Sequence, residues 1–157
     1  MIRKAAAALL FTASVSSAQA PAANVLDRFP ASEDRDAVTA TCSACHTLAR
    51  VAANNRDKTQ WAQTVKAHDS RGLKLEPDET EVVVRYLSTY FGPKVFLNTA
   101  TAEELSVLPR MDRKLADAVV SYRGEHGPFK NAEEVAVVIG TDAFSQSKNR
   151  LAVDAAK

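Results

Sequence analysis

Cys42-Ser43-Ala44-Cys45-His46 is the stretch on which the reading of this 157-residue chain turns. C-x-x-C-H is the attachment pattern of a c-type haem, in which two cysteine sulfurs bond the macrocycle covalently and the adjacent histidine ligates the iron. These are the only 2 cysteines present, so no other sulfur competes for the group and no disulfide framework is left over. The competing reading is a redox-active or structural Cys42–Cys45 disulfide. Against it, His46 stands where the iron needs a ligand, and no βαβ pattern of the thioredoxin kind surrounds the motif.

Haem attached in this way lies outside the cytoplasm, which makes the N-terminus an independent check. Arg3 and Lys4 form a positive n-region, Ala5 to Val15 a short apolar run, and Ala18-Gln19-Ala20 an A-x-A cleavage site. Residues 1–20 are therefore expected to be a signal peptide, with a mature chain from Pro21. The apolar run is too short, and too diluted by Thr12, Ser14, Ser16 and Ser17, to span a bilayer. A periplasmic protein without a membrane span after signal removal is the expectation. Losing residues 1–20 removes Arg3 and Lys4 and no acid, so the formal charge moves from +1 to −1. A chain so close to neutral is not globally built for phosphate backbones.

Working downstream, Val82 to Phe91 has helical apolar spacing with Val83, Leu87 and Tyr90 on one face. Pro77 suits the first turn, and Gly92-Pro93 is a C-terminal stop. A new pattern then begins. Thr101-Ala102-Glu103-Glu104 reads as a capping box opening a short helix that Pro109 ends. Asp112 can cap the next helix, with Leu115, Val119 and Tyr122 on one face and breaks at Gly124 and Gly127-Pro128. Asn131-Ala132-Glu133-Glu134 repeats the capping signal, and a last short helix follows Thr141-Asp142. Apart from the ambiguous run Val135 to Ile139, no segment alternates like a strand. The expected fold is all-α in two small units, residues 21–94 and 95–157. Each is near the lower size limit for a stable core, a problem that a covalently held macrocycle relieves for the first.

Around the haem motif, residues 36–93 resemble the monohaem c-type cytochrome domains related to quinohaemoprotein dehydrogenases. The resemblance rests on C-x-x-C-H, Arg56 five residues before Trp61, Val65 four residues after it, and Tyr86-Leu87 followed by Phe91-Gly92-Pro93. In that family the sixth iron ligand is a Met three residues after the Val; here the position is His68. Trp61, Val65 and His68, at i, i+4 and i+7, would share one helical face. The resemblance thus implies one covalent haem c on Cys42 and Cys45, with His46 and His68 as axial ligands. Two imidazoles imply a lower potential than a thioether gives. An open or water-bound iron, Met111 and His126 are the alternatives at the sixth position. Arg56 is a candidate partner of a haem propionate, or an ordinary exposed arginine. Trp61 is expected to pack against the porphyrin edge more than to relay electrons.

Residues 95–155 resemble the tandem helix-hairpin-helix domain of competence DNA receptors. The carrying residues are Leu97 to Leu105, Leu108-Pro109, Lys114-Leu115-Ala116, Tyr122-Arg123, Gly127-Pro128-Phe129 and Val138-Ile139-Gly140. Such modules bind DNA non-specifically by aiming the N–H groups of a G-h-G hairpin at phosphates. Here the first hairpin reads Arg110-Met111-Asp112 and the second Gly140-Thr141-Asp142, so one of four glycines remains. Asp112 and Asp142 can occupy the phosphate positions as helix caps. Lys and Arg number eight and Asp and Glu nine over residues 95–157, a balance without the basic footprint of a phosphate binder, although Arg110, Arg113 and Lys114 cluster. DNA binding is not expected, and docking or oligomerisation is.

The function these readings imply is electron transfer by a periplasmic carrier with a redox partner protein. It is not expected to be an enzyme in itself, since iron ligated on both faces leaves no site for substrate. A haem-containing DNA-binding module, and a haem subunit of a periplasmic dehydrogenase complex, are the rival readings.

Overall fold

The computed structural model describes residues 24–154, so the expected signal peptide lies outside the described residues. The first half comprises a 3-10 turn, Val25–Arg28, and four helices: α1 (Arg35–Ser43), α2 (Leu48–Ala52), α3 (Lys58–Lys66) and α4 (Pro77–Tyr90). The ends are set by local chemistry. At the start of α3, Asp57 Oδ1 accepts the Gln60 N–H at 2.8 Å while Gln60 Oε1 accepts the Asp57 N–H at 3.0 Å, a reciprocal capping box. α4 opens with Glu79 Oε2 accepting the Glu76 N–H at 2.8 Å and with Pro77 in the first turn. It stops before Gly92-Pro93.

α4 packs against α1 and α3 and presents Val83, Val84, Tyr86 and Leu87 to a core that includes Trp61 and Phe91. Each such side chain, fully buried, contributes roughly 1.5–3 kcal/mol. The Tyr86 hydroxyl avoids the penalty of burial by donating to the Pro30 carbonyl at 2.8 Å.

The second half comprises β1 (Val95–Phe96), α5 (Ala102–Ser106), α6 (Arg113–His126), a 3-10 turn Ala132–Val135 running into α7 (Ala136–Ser147), and β2 (Leu151–Ala152). β1 and β2 pair in parallel, Val95 with Leu151 and Phe96 with Ala152. The all-α expectation is corrected to a mostly helical fold closed by this two-residue pair, which is too short to show a period-2 pattern in sequence. Gly124 does not break α6. The helix runs through it to Gly127, whose φ of +89° ends the turn, because burial of Ala116 and Val119 outweighs the roughly 1 kcal/mol cost of an exposed mid-helix glycine. Val135 to Ile139 is helical.

The structure also reveals an internal repeat at one constant offset. Thr101 and Asn131 both accept a helix-start N–H, from Glu104 and Glu134; Leu105 and Val135 are both 0% exposed; Arg110 and Gly140 both have positive φ. Two copies of one hairpin unit therefore share the core around Leu105, Met111, Val119 and Ile139.

The halves are fastened by Asn149 and Arg150, both nearly buried. Asn149 donates to the Arg28 carbonyl, and its own carbonyl accepts from Asn55 Nδ2 at 3.1 Å and Lys94 Nζ at 2.7 Å. The Arg150 guanidinium donates to the carbonyls of Pro93 (3.2 Å), Thr89 (3.5 Å) and Val107 (3.2 Å). Burial without a carboxylate pushes Arg150 down from its ordinary pKa.

Candidate functional site

A cavity of about 350 Å³, within the range of small-molecule sites, opens where the end of α1, α2, α3 and α4 converge. Cys42, Cys45, His46, Arg56, Trp61 and His68 all line it. Its apolar walls come from Val51, Val65, Val83 and Leu87. Arg50 and Arg71, which sequence reasoning did not single out, complete a rim of three guanidinium groups with Arg56. The only signal for Arg50 was its place four residues after His46. Arg71 had none beyond proximity to His68.

The two imidazoles meet across this space. Their ring centroids are 6.1 Å apart with the planes at 62°. Two imidazole nitrogens, each bound to one metal ion at about 2 Å, would hold the ring centres roughly 6 Å apart. His68 Nδ1 lies 2.7 Å from the Thr64 carbonyl, and His46 Nδ1 lies 3.3 Å from the Thr47 carbonyl. A carbonyl can only accept, so each Nδ1 carries a proton, and in the neutral imidazole this leaves Nε2 with the lone pair, the tautomer a metal ligand needs.

His68 does not sit on α3 itself, as the i, i+4, i+7 spacing suggested. The helix ends at Lys66, and His68 stands just past it in helical conformation, its N–H donating to the Val65 carbonyl at 3.0 Å. The ring nevertheless reaches the cavity that Trp61 and Val65 line. Met111 is buried in the second core, and His126 stacks on Tyr122 at 4.2 Å on α6; neither reaches the cavity.

The cysteines form no disulfide. Burial pushes the Cys42 thiol up to about 11. A thiol held protonated is the opposite of the depressed, attacking thiolate of a redox disulfide motif. Among the described residues no group of three or more His, Cys, Asp or Glu gathers to hold a lone ion. Haem asks for less, since its macrocycle supplies four iron ligands and the chain only two. The residues present therefore fit a haem.

Trp61 is buried in the first core, 3% exposed, with Nε1 donating to the Phe91 carbonyl at 3.0 Å. Arg56 is half-buried and bonded within the chain. Its Nη1 donates to Thr64 Oγ1 and its Nη2 to Asn54 Oδ1, each at 2.9 Å, and its Cζ lies 5.5 Å from the centre of the Trp61 ring.

In the second half, Arg110 holds φ +58°, a left-handed conformation that glycine adopts without strain, and the retained Gly140 holds φ +82°. Asp112 caps α6, its Oδ1 accepting the Leu115 N–H at 2.8 Å. Asp142 does not do the same. The helix is interrupted at Gly140, whose φ of +82° and ψ of 160° are not helical, and Asp142 just beyond that break is exposed, its side chain in no hydrogen bond among the described residues. Self-occupation of the hairpin by a carboxylate is thus a property of the first hairpin alone.

Comparison with known proteins bears on this half. Residues 91–152 match the helix-hairpin-helix motif family. The second half is a helix-hairpin-helix domain. The chain is 43% identical over 72 residues to an uncharacterized protein of Haemophilus influenzae, an alignment covering 45% of this chain and 64% of that one. It is 36% identical over 64 residues to ComE operon protein 1 of Bacillus subtilis, covering 40% of this chain and 31% of the relative. It is also 39% identical over 51 residues to endonuclease/exonuclease/phosphatase family domain-containing protein 1 of Rattus norvegicus, covering 32% of this chain but only 9% of that protein. The chain thus spans a small part of some relatives and at most 64% of these three. No solved structure matches it at comparable significance.

Proposed function

We propose that the chain is a periplasmic electron carrier, with one haem held covalently by Cys42 and Cys45 and ligated by His46 and His68. The observation that carries this reading is the pair of imidazoles 6.1 Å apart, each with Nδ1 against a carbonyl, in a cavity that both cysteines also line. When bound, haem supplies one-electron chemistry, so a donor protein gives one electron and an acceptor protein takes one. The chain's own residues bind and orient. Val51, Val65, Val83, Leu87 and Trp61 exclude water from the site, which stabilises the less charged state and tunes the potential. His46 and His68 would both be taken up in holding the group, so catalysis would belong to partners. The helix-hairpin-helix domain serves docking or oligomerisation.

The test is the intact mass and haem stain of protein exported to the periplasm of a strain able to mature cytochromes. The expected mass is that of residues 21–157 plus one haem, retained on denaturation and lost in Cys42→Ala/Cys45→Ala. An intact, haem-free disulfide form would overturn the reading.

A second reading, DNA binding, is favoured by the match of residues 91–152 to the helix-hairpin-helix motif family and by the hairpin glycine kept at Gly140. Duplex DNA titrated against the full chain at two salt concentrations separates the readings, because phosphate contacts give a steep salt dependence.

A further inference from the structure

Resting on the haem reading above, we infer that the three cavity arginines divide two tasks: Arg56 is a positioning residue for His68, while Arg50 and Arg71 are left to meet the carboxylates of the macrocycle. The argument begins with the donors. Arg56 spends Nη1 on Thr64 and Nη2 on Asn54, and its own N–H donates to the Phe91 carbonyl at 2.9 Å. Asn54 is in turn fixed by Nδ2 donating to the Arg50 carbonyl at 2.7 Å. The guanidinium also lies 5.5 Å from the Trp61 ring centre. Its fork is thus engaged by two side chains of the protein itself, on different segments.

Thr64 is the residue through which this fixation reaches the imidazole. Its hydroxyl accepts from Arg56 and donates to the Gln60 carbonyl at 2.7 Å, and its carbonyl accepts from His68 Nδ1 at 2.7 Å. Arg56 therefore holds the last turn of α3, and that turn sets the tautomer and direction of His68. Groups that orient a metal-ligating histidine in this way govern how firmly it stays on the metal. Arg50 and Arg71 stand differently. Both line the cavity and are exposed, and the ion pairs among the described residues are Arg85–Asp34 and Arg113–Asp117, so neither is charge-matched among those residues. A guanidinium fork so placed fits a carboxylate.

The two roles predict opposite behaviour on replacement by lysine. A carboxylate partner needs the charge, which lysine keeps; a clamp between Thr64 and Asn54 needs the planar fork, which lysine lacks. The experiment uses the haem-loaded full chain and reads three quantities: the low-spin electron paramagnetic resonance signal of the oxidised protein, the rate at which cyanide displaces the sixth ligand, and the midpoint potential. Arg56→Gln and Arg56→Lys should both broaden the low-spin signal and speed displacement by about tenfold, the lower end of the usual effect of such residues. Thr64→Val, which removes the hydroxyl but keeps the shape, should reproduce them. Arg50→Gln and Arg71→Gln, which remove the charge a carboxylate partner needs, should lower the midpoint potential, and an unchanged potential would refute that half of the inference; Arg85→Lys, outside the cavity, should leave every readout at the wild-type value. Wild-type behaviour in Arg56→Lys and Thr64→Val would overturn the inference while leaving the haem reading intact. Absence of covalent haem from the wild-type chain would overturn both.

Discussion

Arg150 lies directly over Gly92: a β-carbon placed on that glycine would stand 3.0 Å from the guanidinium carbon and 2.5 Å from the Ser88 carbonyl oxygen. The second contact is with backbone, which cannot swing aside. Gly92 is thus a close-approach position, and the arginine reaches the carbonyls of Thr89 and Pro93 because no side chain intervenes.

Gly92→Ala should therefore destabilise the chain by about 1–3 kcal/mol through overpacking. Arg150→Ala, which strips donors from three carbonyls, should cost a similar amount, about 1–3 kcal/mol. Urea denaturation followed by circular dichroism checks both, and the double variant should cost less than the sum, since the two share one contact.

Oxidised wild-type protein should be low-spin with bis-imidazole magnetic parameters and lack the weak long-wavelength absorption band of methionine–iron ligation. His68→Met should raise the midpoint potential by a fraction of the roughly 0.8 V span that axial ligands command. His68→Ala should open the site to an added small ligand, whereas replacing Met111 or His126 should not. An unchanged spectrum in His68→Ala would remove His68 from the iron.

The first hairpin should bind DNA more tightly once its glycines are restored. In Arg110→Gly/Asp112→Gly the left-handed backbone at 110 is relaxed and the Leu115 N–H is freed from its carboxylate cap. Fluorescence anisotropy with duplex DNA at low salt should show a gain in affinity over wild type, falling steeply as salt rises. Loss of the cap should cost about 1 kcal/mol of stability in the same variant.

The Glu104 carboxylate is held below its ordinary pKa by the Thr101 N–H at 2.7 Å and the Thr101 hydroxyl at 3.0 Å. A depressed carboxylate stabilises the folded state above its unfolded value, and that contribution is lost as pH falls through the folded value. Thermal denaturation of wild type and Glu104→Gln should therefore differ at neutral pH and converge on acidification. A difference that persists below the carboxylate range would assign the effect to packing instead.

Features that depend on neighbours in sequence were legible beforehand. The capping residues Thr101, Asp112 and Asn131, the stop at Gly92-Pro93, and the motif Cys42, Cys45 and His46 follow from spacing and side-chain chemistry, whereas His68 was singled out by resemblance. Features made between distant segments were not. Asn149 and Arg150 carry no motif, because their partners are main-chain carbonyls that every residue possesses. β1 and β2 are too short to alternate. Gly124 misled, since intrinsic propensity is overridden by the burial of Ala116 and Val119. Asp142 misled too: it stands just past the break at Gly140, where a cap was expected, yet its side chain takes up no helix-start N–H among the described residues. Arg56 was found by resemblance, but only the structure shows its donors engaged with Thr64 and Asn54.

The fastening between the halves uses carbonyl oxygens in place of carboxylates. Carbonyl dipoles do not titrate, and acid keeps the Lys94 and Arg150 donors charged, so acidification leaves the hydrogen bonds of this joint in place. Charge-guided encounters elsewhere on the surface will strengthen or fade with the surrounding salt. The hydrogen bonds that orient the cavity against the hairpins persist through acidification, so a change of pH toward acid does not by itself separate the two.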